Sequence, residues 1–189
     1  MELKGSKTEQ NLMTAFAGES QARNKYTYFA SKAKKEGYEQ IAAIFRLTAC
    51  NEEEHAKLFY EHIPDTKGCV DGCYPFEYGN TEENLKSAIE GEHEEWDILY
   101  ANGEKTAREE GFDEIADTFK HVREAEKHHE RRYRKLLENI QNKTVFEKDY
   151  ETDWLCRKCG YVWHGKSAPN KCPNCHHPKA YFEVLCETY

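Results

Sequence analysis

Residues 52–55 read EEEH, and the same Glu-x-x-His spacing returns at residues 126–129, which read EKHH. The offset between the two motifs is 74 residues. The preceding sequence repeats at the same offset, because residues 36–45 (EGYEQIAAIF) align with residues 110–119 (EGFDEIADTF). A single offset that holds across both stretches indicates two copies of one supersecondary unit.

Each copy is predicted to be a helical hairpin with a glycine between its helices. Gly37 and Gly111 suit the left-handed conformation that follows the end of a helix. Asn80 or Thr81 is expected to start the third helix, with Glu83 completing a capping box. The predicted helices span about residues 8–36, 38–63, 81–110 and 112–142.

Acidic residues and histidines interrupt the apolar face of every predicted helix when that face is followed at 3- and 4-residue spacing. They are Glu19 in the first helix, Glu52 and His55 in the second, Glu92 and Glu95 in the third, and Glu126 and His129 in the fourth. Each lies roughly 22–28 Å along its helix from the glycine of its own hairpin, so all seven are expected in one layer. The third face is expected to continue to Leu99, and Glu53, Glu54, Glu94 and His128 are expected at the surface.

Such a layer needs cations, because five ionised carboxylates buried together would be far too costly without compensation. Carboxylate and imidazole groups suit iron or manganese. One Glu from each of two helices and a Glu-x-x-His pair from each of the other two form the ligand set of ferritin-like di-iron carboxylate bundles. Glu19 and Glu92 would be the single ligands, and Glu95 is an extra acid. Two Fe(II), or two Fe(III) with an oxo bridge, would leave the same net charge of one negative, which favours redox chemistry over storage.

The composition changes near residue 143, and we predict two domains, residues 1–145 and 150–189. The second contains Cys156, Cys159, Cys172 and Cys175 in two Cys-x-x-Cys pairs. This arrangement predicts a tetrahedral thiolate metal site. A structural zinc ribbon and a one-electron Fe(Cys)4 centre share the spacing, and the adjacent di-iron site favours iron. The small core of the tail is expected to consist of Trp154, Tyr161, Trp163 and Phe182.

Four of the eight cysteines lie outside these two pairs. Cys69 and Cys73 form a C-x3-C pair in the linker between the second and third helices. They could be redox-active, bind a metal, or be two unconnected thiols. Cys50 is expected to be a small buried residue near Glu52, and Cys186 has no evident partner.

The charge of the chain excludes some functions. With 27 Lys and Arg against 35 Asp and Glu, the net charge is −8, so binding to nucleic acid or to an anionic membrane is not expected. No apolar stretch approaches the roughly 20 residues needed to span a bilayer, and residues 1–7 contain no apolar signal region. We therefore expect a cytoplasmic protein, in which clustered cysteines bind metal rather than form disulfides.

Taken together, these motifs resemble the rubrerythrin family over essentially the full chain. The resemblance is carried by residues 15–24 (AFAGESQARN), 52–56 (EEEHA), 91–95 (GEHEE) and 126–130 (EKHHE), and by the rubredoxin-like CxxCGY…CPxC tail. It implies a ferritin-like four-helix bundle followed by a small rubredoxin-like β/loop domain. The Cys-bearing linker and Trp96 depart from the family pattern, and neither is a ligand position.

The resemblance implies a peroxidase that reduces hydrogen peroxide to water at a non-haem di-iron site. Its cofactors would be two iron ions, oxo-bridged when oxidised, and one Fe(Cys)4 iron that receives electrons from rubredoxin or from NAD(P)H through a reductase. The position of Glu95 would ligate iron in the oxidised state, and that of His55 would replace it on reduction. Tyr26 and Tyr100 fall where the family has tyrosines next to the ligands. The family is usually a homodimer.

Three functions are compatible with these features. The first is a peroxide reductase, the second a ferroxidase or iron-handling protein, and the third a structural protein with a zinc ribbon. Glu95 and the four-cysteine tail favour the first, because iron storage does not require an attached electron-transfer domain.

Overall fold

Four long helical segments pack as a bundle, and a small antiparallel sheet follows them. The computed structural model describes residues 2–64, 67–70 and 72–188. The helices are α1 (Lys7–Lys35), α2 (Glu39–His62), α3 (Thr81–Glu94), α4 (Tyr100–Glu110) and α5 (Asp113–Gln141), and the strands are β1 (Glu147–Cys156), β2 (Val162–Ser167) and β3 (Phe182–Val184). The predicted mainly α bundle with a small C-terminal β domain is confirmed. The domain limits at 1–145 and 150–189 stay a prediction; α5 ends at Gln141, and β1 begins at Glu147, within the gap between the two predicted domains.

The helices begin and end where local chemistry predicts. Gly37 and Gly111 have φ values of +86° and +83°, in the left-handed region that glycine tolerates best. Asn80 caps α3 and forms a capping box with Glu83, in which each side chain accepts a hydrogen bond from the other residue's backbone N–H. The turns of the two hairpins are therefore set by residues close to them in sequence.

The two halves also cap one another. Glu36, at the end of α1, accepts hydrogen bonds from the backbone N–H of Thr81 at 2.8 Å and from its hydroxyl. Glu110, its counterpart in the repeat, accepts from the backbone N–H of Thr8 at 2.9 Å and from that hydroxyl. Each carboxylate thus satisfies a free N–H group at the start of a helix in the other half.

Two apolar clusters fill the bundle, one on each side of the acidic layer. The cluster near the Gly37 turn includes Tyr26, Phe45 and Tyr133. The other includes Phe59 and Phe119. Along each of the four helical segments, the acidic positions lie between the residues of these two clusters. The polar layer is therefore held between two closely packed regions.

The third helical segment contains a π-helical turn, Glu95–Leu99, between α3 and α4. A π turn holds one residue more than an α turn, which rotates the following residues around the helix axis by roughly 100°. As a result Leu99 is 44% exposed and Tyr100 is only 2% exposed. The prediction that Leu99 faces the core is wrong for this reason.

The tail forms a three-stranded sheet in the order β2-β1-β3, with antiparallel pairing throughout. Trp154, on the central strand, is fully buried, and Phe182 packs with it. Trp163 lies on the edge strand β2 and is 37% exposed. The prediction that Trp163 belongs to the core is wrong, because an edge strand has a neighbour on one side only.

The tail packs against the turn between α1 and α2. A Cβ placed on Gly37 would lie 3.6 Å from the Cβ of Ala180. The rings of Tyr38 and Phe146 stack with centroids 6.3 Å apart. Among the described helices, none combines the length and the hydropathy required to cross a bilayer.

Candidate metal centres

Six of the seven predicted ligands of the bundle come together in its centre. Two sets of four side chains have potential ligand atoms that all lie within 4.8 Å of one another. One set is Glu19, Glu52, His55 and Glu126, and the other is Glu52, Glu92, Glu126 and His129. The two sets share Glu52 and Glu126, so they form adjacent positions for two cations.

The two histidines occupy equivalent places in these sets. His55 Nδ1 lies 2.7 Å from Glu126 Oε1 and 3.0 Å from Glu52 Oε2. His129 Nδ1 lies 2.7 Å from Glu126 Oε2 and 3.3 Å from both Glu52 Oε1 and Glu92 Oε2. This pairing reflects the internal repeat, because each Glu-x-x-His motif contributes one turn of helix to the same layer.

Burial makes the cluster strongly attractive to positive charge. Burial, and then the neighbouring carboxylates, raises the pKa of Glu19 and of Glu126 well above the usual value. Burial alone would lower the pKa of His129, but the facing carboxylates of Glu126, Glu52 and Glu92 raise it instead. In both cases the environment favours a bound proton or another cation over an isolated negative charge.

The ligand atoms are also left without partners of suitable geometry. Within the described residues, both oxygens of Glu52 and of Glu126 and the Nδ1 atoms of His55 and His129 make no well-aligned hydrogen bond. Buried polar atoms are normally satisfied. Four carboxylates and two imidazoles are the donors that iron accepts readily, and two Fe(II) ions would balance the four negative charges. The residues present therefore fit a pair of iron ions.

Two tyrosines orient the outer carboxylates. The Tyr26 hydroxyl donates to Glu92 Oε1 at 2.6 Å, and the Tyr100 hydroxyl donates to Glu19 Oε1. Burial raises the pKa of both hydroxyls well above the usual value, which keeps them protonated as donors. Hydrogen bonds of this kind fix the rotamer of a ligand and tune its basicity.

Glu95 lies beside the cluster rather than within it. It belongs to neither of the two sets, and it is only partly buried, at the start of the π turn. Burial of its carboxyl group, and then Glu92 and Glu52, raises its pKa well above the usual value. Glu95 lines a cavity of about 290 Å³ together with Gly18, Lys25 and Tyr100. The cavity lies next to the cluster, because the Tyr100 hydroxyl contacts Glu19 and Tyr100 lines the cavity.

Lys25 is a residue that the sequence analysis missed. Its side chain lines the same cavity and is 8% exposed. Within the described residues, no carboxylate lies within 4.0 Å of its Nζ atom. Its position next to Tyr26 in the stripe was the only signal in the sequence, and a lysine there is ordinarily read as a surface residue. The structure shows a buried ammonium beside Glu95 instead.

The four cysteines of the tail form a second centre. Their sulfur atoms lie within 4.8 Å of one another, with Sγ–Sγ distances of 3.7 Å for Cys156–Cys175 and for Cys159–Cys172. A tetrahedral site with metal–sulfur bonds of about 2.3 Å requires sulfur atoms about 3.8 Å apart. A hydrogen bond from the Tyr161 backbone lowers the pKa of Cys159 to about 6, whereas burial raises the pKa of Cys156. The predicted four-cysteine cluster is therefore present.

The other cysteines are free and exposed. Cys50 is exposed, and the prediction that it is buried is wrong. It precedes Glu52 by two residues, which places it roughly 200° around α2 from the buried face. Cys69, Cys73 and Cys186 are also exposed free thiols.

A four-helix bundle with Glu and Glu-x-x-His residues in its centre defines the class of ferritin-like di-iron carboxylate proteins. The sequence profile of the rubrerythrin family matches residues 10–137, and the profile described as rubrerythrin, rubredoxin-like domain matches residues 154–183. The chain belongs to the rubrerythrin family.

Similar proteins cover nearly the whole chain. Rubrerythrin-1 of Clostridium acetobutylicum is 52% identical over 192 residues, covering 99% of this chain and 98% of that protein. The rubrerythrin of Porphyromonas gingivalis is 51% identical over 188 residues, covering 99% and 94%. Among solved structures, nigerythrin in a mixed-valence state is 34% identical with a TM-score of 0.65, covering 97% of this chain and 88% of that one. The ferritin-like fold and the recognition of the family are confirmed.

Family membership and geometry together establish the general chemistry. The chain has a di-iron domain and a rubredoxin-like domain with a four-cysteine iron site. It is a di-iron oxidoreductase of broadly peroxidase-like type.

Proposed function

We propose that this protein reduces hydrogen peroxide to water. The observation that carries the proposal is the pair of four-ligand sets that share Glu52 and Glu126 and adjoin a cavity lined by Glu95. Two irons held there would supply two electrons to one peroxide molecule, which takes up two protons and yields two water molecules. A site with two adjacent cations suits this two-electron reaction.

Each side chain has a definite role in this proposal. Glu52 and Glu126 would be shared by the two metal positions, because both belong to both sets. Glu19 and His55 complete one position, and Glu92 and His129 complete the other. The proposal that they ligate iron is supported by their burial and by the unpartnered oxygen and nitrogen atoms around the centre.

Glu95 and His55 differ in a way that supports an exchange of ligands. His55 is inside its set, whereas Glu95 lies just outside on the side of the cavity. This arrangement is the one expected for the reduced state, in which His55 replaces Glu95. Glu95 is carried by a π turn, and such turns occur frequently at functional sites. A protonated Glu95 beside the cavity could also pass a proton to peroxide.

Electrons are proposed to arrive one at a time through the iron held by Cys156, Cys159, Cys172 and Cys175, from rubredoxin or from NAD(P)H through a reductase. Within one chain the route is long. The tail packs against the turn at Gly37 and Tyr38, whereas the buried ligands of α2 lie roughly 22–27 Å further along that helix. A homodimer that brings the tail of one chain to the bundle of the other would shorten this route. Clustered cysteines that bind a metal rather than form disulfides support a cytoplasmic location.

The decisive experiment is stopped-flow absorption of anaerobically reduced, iron-loaded protein mixed with one equivalent of hydrogen peroxide. Rapid return of the visible Fe(III)–thiolate bands is expected, because oxidation of the bundle would draw electrons from the tail. Glu126→Ala should abolish the rapid phase. Glu54→Ala, an exposed residue of the same Glu-rich stretch, should preserve it and serves as the matched control.

Slow recovery of the bands that is the same in wild type and Glu126→Ala would contradict the proposal. Assembly into a large shell would then favour iron handling, whereas a native mass of two subunits is the expected result. A tail that holds only zinc would exclude the proposed electron route.

A further inference from the structure

The linker between α2 and α3 runs along the outside of α1. We call its described residues, 67–70 and 72–78, the strap. A side chain placed on Gly68 would overlap the thioether of Met13. Further along, Gln21 donates a hydrogen bond to the carbonyl oxygen of Pro75 at 2.6 Å, and the ring of Tyr78 stacks on Phe29 with centroids 6.3 Å apart. The strap is thus attached to α1 at several points along its length.

One wall of the cavity at Glu95 is formed by the strap. Gly72, Cys73 and Tyr74 line it from the outside, and Lys25 and Glu95 line it from the bundle. Cys73 therefore borders the same space that adjoins the metal centre. Of the cysteines in the chain, it is the one that lines this cavity.

The cavity is suited to a small polar molecule. Lys25 is more than nine-tenths buried and no carboxylate of the described residues approaches its Nζ atom within 4.0 Å. The buried Tyr74 hydroxyl likewise has no hydrogen-bond partner in the described part of the chain. A buried hydroxyl without a partner is costly unless a solvent-sized polar molecule occupies the space beside it, and the Lys25 side chain lines the same space.

We propose that Cys73 and Cys69 form a second peroxide-reactive site, separate from the metal centre. This inference rests on the proposed function, since it takes hydrogen peroxide as the molecule that enters the cavity. The Cys73 sulfur forms a bond to one peroxide oxygen, the O–O bond breaks, and one water leaves, giving a sulfenic acid. The Cys69 sulfur then forms a bond to the Cys73 sulfur, the S–O bond breaks, and a second water leaves. Two thiols are oxidised to one disulfide, and peroxide is reduced to two waters.

The spacing allows this disulfide to form. Both thiols are free and exposed, and no helix or strand includes either residue. A disulfide needs Cα atoms about 4.4–6.8 Å apart. Two residues four positions apart can approach to that separation where the chain turns, whereas two such residues in an extended strand could not. Cys69 therefore acts as the resolving partner of Cys73.

Cys50 and Cys186 provide controls within the same molecule, because both are exposed free thiols that do not line the cavity. Trypsin separates them from the pair. Residues 68–86 form one peptide that contains both Cys69 and Cys73, whereas Cys50 falls in residues 47–57 and Cys186 in residues 180–189. The reactivity of each site can be followed in a single digest.

The experiment uses the full-length, iron-loaded and fully oxidised protein without an electron donor, so that the metal centre does not consume the peroxide. Hydrogen peroxide is added, samples are quenched with N-ethylmaleimide at intervals, and the digests are analysed by mass spectrometry. We expect peptide 68–86 to become two hydrogens lighter and to stop reacting with N-ethylmaleimide. This change should be about tenfold faster than the loss of N-ethylmaleimide labelling in the control peptides. In Cys69→Ser, dimedone should instead trap a sulfenic acid on Cys73.

Equal rates at all exposed thiols, or no oxidation of peptide 68–86, would overturn the inference. A sulfenic acid that forms mainly on Cys69 in the Cys73→Ser variant would also overturn the inference, because Cys69 would then be the residue that reacts with peroxide. Peroxide consumption with an electron donor is measured on the same preparation, with Cys50→Ser as the control variant. Normal consumption without selective oxidation of the pair would refute the second site alone, whereas absent consumption would refute the proposed function.

Discussion

The Tyr26 hydroxyl offers a sharp test of how the metal centre is organised. Tyr26 is 1% exposed, and its hydroxyl donates to Glu92 at 2.6 Å. Tyr133 is fully buried nearby, with its ring centroid 5.5 Å from that of Tyr26. Unlike that of Tyr26, its hydroxyl makes no well-aligned hydrogen bond within the described residues, and the side chain that it faces is the neutral Thr48 rather than a metal ligand. The substitutions Tyr26→Phe and Tyr133→Phe therefore remove the same atom from neighbouring sites with different partners.

The expected magnitudes differ clearly. A hydrogen bond to a charged group contributes about 1.5–3 kcal/mol, and its loss leaves a Glu92 oxygen buried without a partner. For a chain of this size that corresponds to a decrease in melting temperature of about 3–12 °C. Loss of a ligand's outer hydrogen bond also weakens metal binding by about 10–100-fold. Tyr133→Phe removes an unpartnered hydroxyl, so its effect on stability should be close to zero or slightly favourable.

Thermal unfolding of the two iron-loaded variants, followed by helical circular dichroism, measures the difference in stability. Competition with a chelator measures the affinity for iron. Both variants keep the aromatic ring, so a change in packing should affect them equally. Equal loss of stability in Tyr26→Phe and Tyr133→Phe, with unchanged iron affinity, would refute the assigned role of the Tyr26 hydroxyl.

Three further predictions concern the scaffold. Burial would raise the pKa of Glu36, but hydrogen bonds from the start of α3 lower it. The cap that Glu36 provides is thus fully effective above the usual glutamate pKa and is lost as pH falls through the lowered pKa. Glu36→Gln should therefore lower the free energy of unfolding by about 0.5–2 kcal/mol at neutral pH and leave it unchanged in strong acid. Urea titrations at the two pH values measure this difference. A Cβ on Gly103 would lie 2.8 Å from the buried Phe119 ring, so Gly103→Ala should destabilise the bundle by about 1–2 kcal/mol, whereas Gly91→Ala should not. Cys172→Ser should abolish the visible absorption of the tail and make it sensitive to protease while the helical signal remains; an unchanged spectrum would contradict the four-cysteine assignment.

The sequence alone predicted the bundle, the limits of its helices and the six buried side chains of the metal centre. These features follow from local rules. The glycines end helices through their own backbone conformation, and a spacing of three or four residues places side chains on one face of a helix whatever surrounds it. The 74-residue repeat then fixed the heights of Glu52, His55, Glu126 and His129. The four cysteines of the tail were equally clear from their spacing.

The incorrect predictions have a common origin. Leu99 was expected in the core, but the π turn before it rotates the helix. Trp163 was expected in the core of the tail, but its strand is at the edge of the sheet. Cys50 was expected to be buried, but it lies on the outer face of α2. Residue type suggested burial for Trp163 and Cys50, and regular helical spacing suggested it for Leu99, but the position in the folded structure determined exposure.

Only the tertiary structure decided which carboxylates belong to both metal positions, that Glu95 lies beside the cluster, and that Lys25 is buried next to it. It also placed Cys73 of the strap against the same cavity. These features depend on distances between segments far apart in the chain, which are set by how the helices pack. The sequence by itself determined which side chains point inward and at what height along each helix, because helix geometry is local. Packing determined which of these side chains meet, because contacts between helices join residues that are far apart in the chain.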